Sequence, residues 1–382
     1  MKIVIAPDSF KESLSAVDVA RQIEAGFREI FADAVYLCLP IADGGEGTVD
    51  ALIAAVGGEL RSAMVEDPLG RPVAAAYGLL SDGTAVIEMA AASGLHLVAP
   101  TERNPLVTSS RGTGELIRAA LDDGARRFIV GIGGSATNDG GAGMLQALGA
   151  KLTDADGREV GGGGGALAAL AHIDTATLDA RLAACRFEIA CDVDNPLVGP
   201  NGASAVFGPQ KGATPATVAY LDDNLRHFAD VIARDLNRQV AALPGGGAAG
   251  GMGAAMLACL NATLRPGVQI VTEAVGLHEA IRDAHLVVTG EGCLDGQTVR
   301  GKAPIGVARI AAEHGVPVIA IGGAVSGTAG AIYQHGVDAM FASVRRACSL
   351  GEAFEEAASN VRFAARNIAA AIRLGHRIAQ RS

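Results

Sequence analysis

The sequence has few aromatic residues, no tryptophan and no excess of positive charge. Phe, Tyr and Trp make up 4% of the 382 residues, and the formal net charge is −10. A core with few large rings must be built from Ala, Val, Ile and Leu, which is typical of Gly- and Ala-rich α/β proteins. Nucleic acids and acidic membrane surfaces are bound by basic faces, so the negative balance argues against both as partners.

The sequence also lacks an export signal, a membrane-length apolar run and a paired-cysteine motif. The first apolar run, 3–7, is too short for the core of a signal peptide. No window approaches the ~18 consecutive apolar residues of a transmembrane helix. The six cysteines form no C-x-x-C pair, which in a chain of this length predicts reduced thiols and a cytoplasmic location.

Glycine, by contrast, is abundant. The 51 glycines cluster without a G-X-Y period, which excludes a collagen-like fibre. Hydrophobic residues make up 49% of the chain, which excludes a disordered protein. At about 150 residues per domain, the length of the chain predicts two or three domains.

Apolar runs and helical periodicities alternate at both ends of the chain. Runs typical of buried strands predict strands at 3–7, 34–39, 285–289, 316–321 and 339–344. Helical spacing and capping residues predict helices at 16–30, at 48–56, from Pro304 onward and over 352–379. Alternating strands and helices predict a parallel, doubly wound sheet in an α/β fold.

Long glycine-rich stretches interrupt this rhythm in the middle of the chain. They separate candidate strands at 84–89, 128–132 and 186–191, and a helix is predicted at 215–236 after a Thr-Pro cap. We therefore predict two domains. Residues 1–65 and 282–382 form one discontinuous domain, and residues 66–281 form a large inserted α/β domain.

The segment 131–141, GIGGSATNDGG, is the strongest local motif. It follows a predicted strand and precedes a predicted helix, the layout that points backbone N–H groups at an anion. Ser135, Thr137 and Asn138 add hydroxyl and amide donors, so the segment is interpreted as a phosphate cradle. The same residues satisfy G-x-G-x-x-A, and a nicotinamide-dependent dehydrogenase is therefore the second hypothesis.

Cationic residues recur in glycine- or proline-rich loops. Phosphoryl transfer needs cations on the acceptor and on the travelling phosphoryl group. Lys302 stands in a near-miss to a P-loop, G-x-x-x-x-G-K-A, in which Ala303 replaces the hydroxyl residue that would bind magnesium. The other candidates are Lys11, Arg71 and Lys211.

Acidic residues also recur in glycine-rich loops, several of them directly after apolar runs. Ligands of open α/β sheets bind at the carboxyl ends of strands, so these acids are candidate metal ligands and candidate general bases. An alternative is that they order turns, as Asp commonly does. The acids are Asp8, Asp43, Asp192, Asp194, Glu291 and Asp295.

Several long runs resemble those of the bacterial type-1 glycerate kinase family, in order over nearly the whole chain. They lie at 1–11, 42–48, 88–95, 112–117, 131–141, 191–197, 207–213 and 301–308. Two positions depart from the family pattern. Cys293 stands where the family carries Arg, which removes a candidate phosphate contact, and Gly247 widens a Gly-Ala-Gly-Ala-Ala-Gly-Gly stretch.

The resemblance implies a cytoplasmic kinase, a phosphotransferase with an alcohol group as acceptor, that uses ATP and Mg²⁺ to phosphorylate D-glycerate. It also implies two α/β domains, one of them flavodoxin-like, with the active site in the cleft between them. The most similar members make 2-phosphoglycerate in glucarate, galactarate and glyoxylate catabolism. The choice of the 2-hydroxyl rests on this resemblance alone, and a kinase that makes the 3-phosphate stays open.

Roles for individual residues complete this hypothesis. Gly133, Gly134, Ser135, Asn138 and Lys211 are predicted to hold the phosphates of ATP. Lys11, Asp43 and Arg71 are predicted to bind glycerate. Asp192 is the predicted base, Lys302 the predicted catalytic cation and Asp295 the predicted metal ligand. A binding module without catalysis is the third hypothesis, and a homodimer is the assembly considered.

Overall fold

The computed structural model describes residues 1–381, apart from the side chain of Arg300. The strands are β1 (Lys2–Ile5), β2 (Val35–Cys38), β3 (Gly58–Glu66), β4 (Pro72–Leu80), β5 (Thr84–Glu88), β6 (Arg127–Gly131), β7 (Lys151–Thr153), β8 (His172–Asp174), β9 (Arg186–Ala190), β10 (Thr263–Arg265), β11 (Leu286–Leu294), β12 (Val318–Val325) and β13 (Ala339–Ala342). The α-helices are α1 (Ala16–Arg28), α2 (Thr48–Val56), α3 (Ala90–Ser93), α4 (Arg111–Asp122), α5 (Ala142–Ala147), α6 (Ala203–Phe207), α7 (Pro215–Leu236), α8 (Met252–Cys259), α9 (Gly267–Ala274), α10 (Leu277–Ile281), α11 (Ala303–Glu313), α12 (Leu350–Glu355) and α13 (Ala357–Ala379).

These elements form two compact units. Unit 1 comprises residues 1–43, 50–57 and 268–382, and unit 2 comprises residues 44–49 and 58–267. The predicted boundaries at 65/66 and 281/282 differ from these. β3 lies in unit 2 because all nine of its residues pair with β4, and residues 268–281 lie in unit 1. No helix within residues 1–381 is both long and apolar enough to cross a membrane.

Unit 1 contains a sheet in the order β13-β12-β11-β1-β2, in which every pairing is parallel. The apolar residues of β1 are fully buried, as the continuous run at 3–7 predicts. α1 begins after Ser15, whose hydroxyl accepts a hydrogen bond from the Asp18 N–H at 3.1 Å, so the predicted cap is confirmed. The apolar face of α1 packs with α13 over the sheet through residues such as Ile23 and Val361.

Unit 2 contains a mixed sheet in the order β10-β9-β6-β5-β4-β3. The first four strands are parallel, and β4 and β3 are antiparallel to their neighbours. The predicted strands at 84–89, 128–132 and 186–191 are confirmed as β5, β6 and β9. The hairpin β3–β4 was not predicted, because most of β3 is exposed on both faces and its sequence therefore lacks apolar alternation. The chain is thus an α/β protein with one parallel and one mixed sheet.

One predicted loop is a strand in the structure. The run at 285–289 was expected to end in a glycine loop, but β11 continues through Gly290 to Leu294 and pairs with β12. A Cβ atom built on Gly290 would lie 2.1 Å from the carbonyl oxygen of Ile321. Glycine is required here because the two strands approach closely, and the local turn signal was misleading. Glu291 is therefore held on a strand and not on a loop.

Candidate active site

Unit 1 has a pocket of about 470 Å³ at the carboxyl ends of its parallel strands. This is the edge at which open α/β sheets bind their ligands. Charged side chains line one part of the pocket: Asp8, Lys11, Asp43, Glu291 and Lys302. Three of the residues that the sequence singled out for substrate binding and catalysis, Lys11, Asp43 and Lys302, are therefore brought together in one cavity.

Asp8 follows β1 and is buried in this pocket. Its carboxylate accepts a hydrogen bond from the Ser9 N–H at 2.6 Å. Burial and the negative charge of Asp43 raise the pKa of Asp8 to about 7, and Glu291 adds to this, although the Ser9 N–H and Lys11 act in the opposite direction. The site therefore holds an excess of carboxylates in a poorly solvated place, which a bound cation would stabilise.

Lys302 lies at the N-cap of α11 and pairs with Glu291. The two charged groups are 2.9 Å apart, and the Thr298 hydroxyl donates to the other oxygen of Glu291 at 2.6 Å. Desolvation lowers the pKa of Lys302, but its hydrogen bond and attraction to Glu291 outweigh this and raise it overall. The ammonium of Lys302 stays charged, and about a third of the Lys302 side chain is exposed. It is thus a fixed positive charge beside the cavity.

Two predicted site residues have other partners. Arg71 lies in unit 2, where it bonds Asp67 at 2.7 Å and Glu102 at 3.2 Å, and its role in binding glycerate stays a prediction. One oxygen of Asp295 accepts the N–H groups of Gln297 at 2.7 Å and Thr298 at 3.2 Å. That carboxylate orders a turn, as the alternative interpretation of these acids holds.

The glycine-rich segment 131–141 lies in unit 2, between β6 and α5. Gly133 and Gly134 are exposed, and within residues 1–381 their N–H groups have no hydrogen-bond acceptor. Gly134 has a φ of +71°, a conformation that favours glycine. These two residues retain the free donors that anion binding requires.

Ser135 and Lys211 of the predicted cradle face inward. The Lys211 ammonium is buried and donates to the Ser135 hydroxyl at 2.8 Å and to the Thr137 carbonyl at 2.6 Å. Burial lowers the pKa of Lys211 to about 7, although Asp139 opposes the shift. The prediction that Lys211 contacts a phosphate is not supported, because its ammonium supports the loop from within.

Asn138 and Asp139 are also fully buried. The Asn138 amide donates to the Ser204 hydroxyl at 2.9 Å. Asp139 accepts from the N–H and hydroxyl of Ser110, both at 2.8 Å, and from the N–H groups of Gly141 at 3.1 Å and Gly143 at 3.3 Å. Asp139 thus connects the starts of α4 and α5, whereas Thr137 Oγ1 and Asn138 Oδ1 are buried without a hydrogen-bond partner among the described residues.

Asp192 follows β9 in unit 2, as predicted, and is exposed. One carboxylate oxygen accepts the N–H of Gly267 at 3.1 Å. The position at the carboxyl end of a parallel strand suits a catalytic carboxylate.

Sequence reasoning missed the second part of the unit 1 pocket, which Ser343 and Asn360 line together with apolar side chains. Ser343 directly follows β13, so the rule that ligands bind where strands end could have identified it. Asn360 lies on the buried face of α13 together with Ala357 and Val361. A polar residue on the buried face of a helix was the available signal.

Comparisons with known proteins agree over the whole length of the chain. Residues 3–373 match the family described as Glycerate kinase family. The chain belongs to the glycerate kinase family. It is 58% identical to Glycerate 2-kinase of Escherichia coli (strain K12) over 99% of both chains. It is 57% identical to Glycerate kinase of Bacillus subtilis (strain 168) over 98% of both.

A solved structure agrees with this assignment. The crystal structure of a protein described as a candidate glycerate kinase 2 from Salmonella typhimurium LT2 superposes with a TM-score of 0.92. The two chains are 56% identical, and the match covers 99% of each. The predicted family is therefore confirmed.

The two departures from the glycerate kinase family pattern have different surroundings. Cys293 is exposed and lines the unit 1 pocket, so an Arg at this position would have reached the same cavity. A Cβ atom on Gly247 would lie 2.2 Å from the Pro196 carbonyl oxygen. This position is therefore sterically restricted to glycine.

Proposed function

We propose that this glycerate kinase family member transfers the γ-phosphoryl group of ATP to the 2-hydroxyl of D-glycerate, giving 2-phosphoglycerate. The observation that carries the proposal is the unit 1 pocket, where two lysines and two aspartates surround one cavity at the ends of parallel strands. Phosphoryl transfer is catalysed mainly by positioning and by positive charge around the transferred group. Whole-length similarity to a Glycerate 2-kinase supports the 2-hydroxyl as acceptor.

We propose that unit 1 is a flavodoxin-like domain. Numbered along unit 1 alone, its strands lie in the order 2-1-3-4-5, which is the order of flavodoxin-like sheets. In such sheets the ligand binds beside the point where the strand order reverses, between the first and third strands. Asp8 follows the first of these strands, Glu291 lies on the third, and both line the pocket.

Lys302 and Lys11 are the proposed cations for the phosphoryl groups. Glu291 and Thr298 fix the position of Lys302, so its charge needs little reorganisation during the reaction. The exposed N–H groups of Gly133 and Gly134 are proposed to bind a second anionic group of the substrates. The location of the active site in a cleft, the homodimer and the cytoplasmic location stay predictions.

Asp8 and Asp43 are the proposed ligands of Mg²⁺, in place of Asp295. Magnesium usually takes only one or two protein carboxylates together with phosphate oxygens and water. The pair fits this requirement, because each carboxylate lines the pocket and their mutual repulsion raises the pKa of Asp8. When bound, the metal neutralises charge on the phosphates.

Asp192 remains the proposed base, which takes the proton of the reacting hydroxyl. Loss of a general base commonly lowers the rate by ~10²–10⁴ with substrates still bound. We therefore expect Asp192→Asn to lower kcat by this factor with little change in either KM. A near-normal kcat would exclude Asp192 as the base.

A coupled assay tests the reaction itself. Enolase accepts the 2-phosphate and not the 3-phosphate, so product is coupled to enolase with and without phosphoglycerate mutase. We expect signal without mutase. Signal that requires mutase would establish the 3-phosphate, and no ATP consumption at all would favour a binding module.

A nicotinamide-dependent dehydrogenase is not favoured. In dinucleotide-binding folds the third position of the glycine motif opens the helix. Here α5 begins at Ala142, well after Ala136, and the intervening residues form a buried polar turn. The match to the Glycerate kinase family also favours a kinase.

A further inference from the structure

The unit 1 pocket has an apolar part as well as a charged one. Its apolar lining includes Phe10, Val344, Leu350, Phe354 and Ala357. Leu350, a large apolar residue of this lining, is 69% exposed. Glycerate is a three-carbon acid with a polar group on every carbon, so it gains little from contact with such a surface. The apolar part therefore suits a ligand group other than glycerate.

Two buried polar residues face this apolar part, and their hydrogen-bonding capacity is only partly used. Asn360 is 2% exposed and Ser343 is 3% exposed. The Oδ1 atom of Asn360 accepts a hydrogen bond from Arg345 Nε at 2.6 Å. Because arginine can only donate, this contact fixes the orientation of the Asn360 amide. Its NH₂ group has no acceptor among residues 1–381, and neither does the Ser343 hydroxyl.

This combination suits a flat heteroaromatic ring with acceptor nitrogens. Ligand pockets of 300–1,000 Å³ typically have mostly apolar walls and a few placed polar groups that give orientation. The cavity of about 470 Å³ falls within this range and is much larger than glycerate needs. Lys11 and Lys302 lie in its charged part, which suits phosphates attached to such a ring.

We infer that the apolar part of the unit 1 pocket binds the adenine ring of the phosphoryl donor. Leu350 and Phe354, one turn apart on α12, contact the ring, and the Asn360 NH₂ donates to a ring nitrogen. The inference rests on the proposed function for the identity of the nucleotide.

A single-tryptophan variant tests the site directly. The natural chain has no tryptophan, so Phe354→Trp places the only indole in the pocket. We expect its emission to change when adenosine or ADP is added to the full-length protein, and not when glycerate is added. Leu374→Trp, on an exposed position of α13 that does not line the pocket, is the matched control and should not respond. No response of Phe354→Trp to ADP would overturn the inference.

A second variant tests the polar contact. Asn360→Asp keeps the acceptor for Arg345 and removes the donor. We expect the Kd of ADP and the KM of ATP to rise about tenfold, with the KM of glycerate unchanged and the thermal midpoint preserved. An unchanged Kd for ADP in folded Asn360→Asp would show that this residue does not recognise the nucleotide.

The two proposals fail in distinguishable ways. If the natural chain forms no phosphoglycerate but Asn360→Asp still weakens ADP binding, the adenine site stands and the reaction is wrong. If turnover is normal but the emission of Phe354→Trp does not change with adenosine or ADP and Asn360→Asp leaves the Kd of ADP unchanged, the reaction stands and the adenine site is wrong.

Discussion

Lys302 in unit 1 and Lys211 in unit 2 were both predicted to contact phosphate, but the structure gives the two ammonium groups different surroundings. Lys302 pairs with Glu291 beside an open pocket, and its pKa is raised overall. Lys211 is buried among a hydroxyl and a carbonyl group, and its pKa falls to about 7. A lysine in a glycine-rich loop is thus a candidate for binding only when its ammonium reaches a cavity.

Asp8 and Asp139 differ in the same way. Asp139 accepts four hydrogen bonds from the starts of two helices. Asp8 accepts one from the chain and faces other carboxylates. Where a carboxylate is fully satisfied by the fold its role is structural, whereas a carboxylate that the fold leaves destabilised has capacity for a ligand. We therefore expect an Asp→Asn substitution to act on catalysis at Asp8 in unit 1 and on stability at Asp139 in unit 2.

Among the substitutions that contrast the two units, Asp8→Asn is expected to have the largest effect, and this effect is on catalysis. Asp8 is a proposed ligand of Mg²⁺, so its loss should weaken the electrostatic stabilisation of the transferred group by an amount comparable to the ~10²–10³ in kcat that the loss of one oxyanion-hole donor costs. The free energy of unfolding should stay equal or rise, because the substitution removes repulsion from Asp43 and Glu291. Steady-state kinetics and urea unfolding measure the two effects. A stable variant with near-normal kcat would show that Asp8 is not part of the catalytic site.

Asp139→Asn is expected to act on stability. The amide replaces an acceptor oxygen with a donor that faces N–H groups, so about 3 kcal/mol of stability should be lost. Asp230→Asn, at an exposed position of α7, is the matched control and should leave the unfolding midpoint unchanged. An Asp139→Asn protein as stable as the natural chain but inactive would assign Asp139 to the catalytic site instead.

These contrasts also explain what the sequence could predict. Buried parallel strands such as β1, and helices with a clear cap such as α1, carry local signals and were predicted well. The hairpin β3–β4 was missed because β3 is mostly exposed, and its strand conformation depends on its pairing with β4. Motif residues were found, but their roles depend on burial, which a motif does not encode. Asn360 was overlooked because it becomes a pocket residue only through the packing of α13 on the sheet.

Lys211→Met should change how stability depends on pH. The unfolded side chain has a pKa of 10.5, whereas the folded one has a pKa of about 7, so between these values the unfolded state binds more protons. Stability conferred at this position therefore rises with pH through that window, by at most ~1.4 kcal/mol per pH unit. Urea unfolding at pH 7, 8 and 9 should show this slope in the natural chain and not in Lys211→Met. Lys151→Met, at an exposed position, should keep the slope. Identical pH profiles for all three proteins would show that folding does not lower the pKa of Lys211.

The smallest expected effect separates backbone strain from anion binding in the loop of unit 2. Gly134 has a φ of +71°, and a Cβ atom there would make only an ordinary contact with Ala90 at 3.5 Å. Gly134→Ala should therefore cost only the strain of a left-handed alanine, about 1 kcal/mol. Gly133 has no such φ, and a Cβ atom there would lie 3.8 Å from Gly45, so Gly133→Ala should leave stability unchanged. If the exposed N–H groups bind an anionic substrate, Gly133→Ala should still raise the KM of that substrate, because the methyl group crowds the donors. Thermal unfolding and the two KM values of each variant measure this. A Gly133→Ala protein with both KM values unchanged would restrict anion binding to unit 1, and the whole 131–141 motif would then be structural.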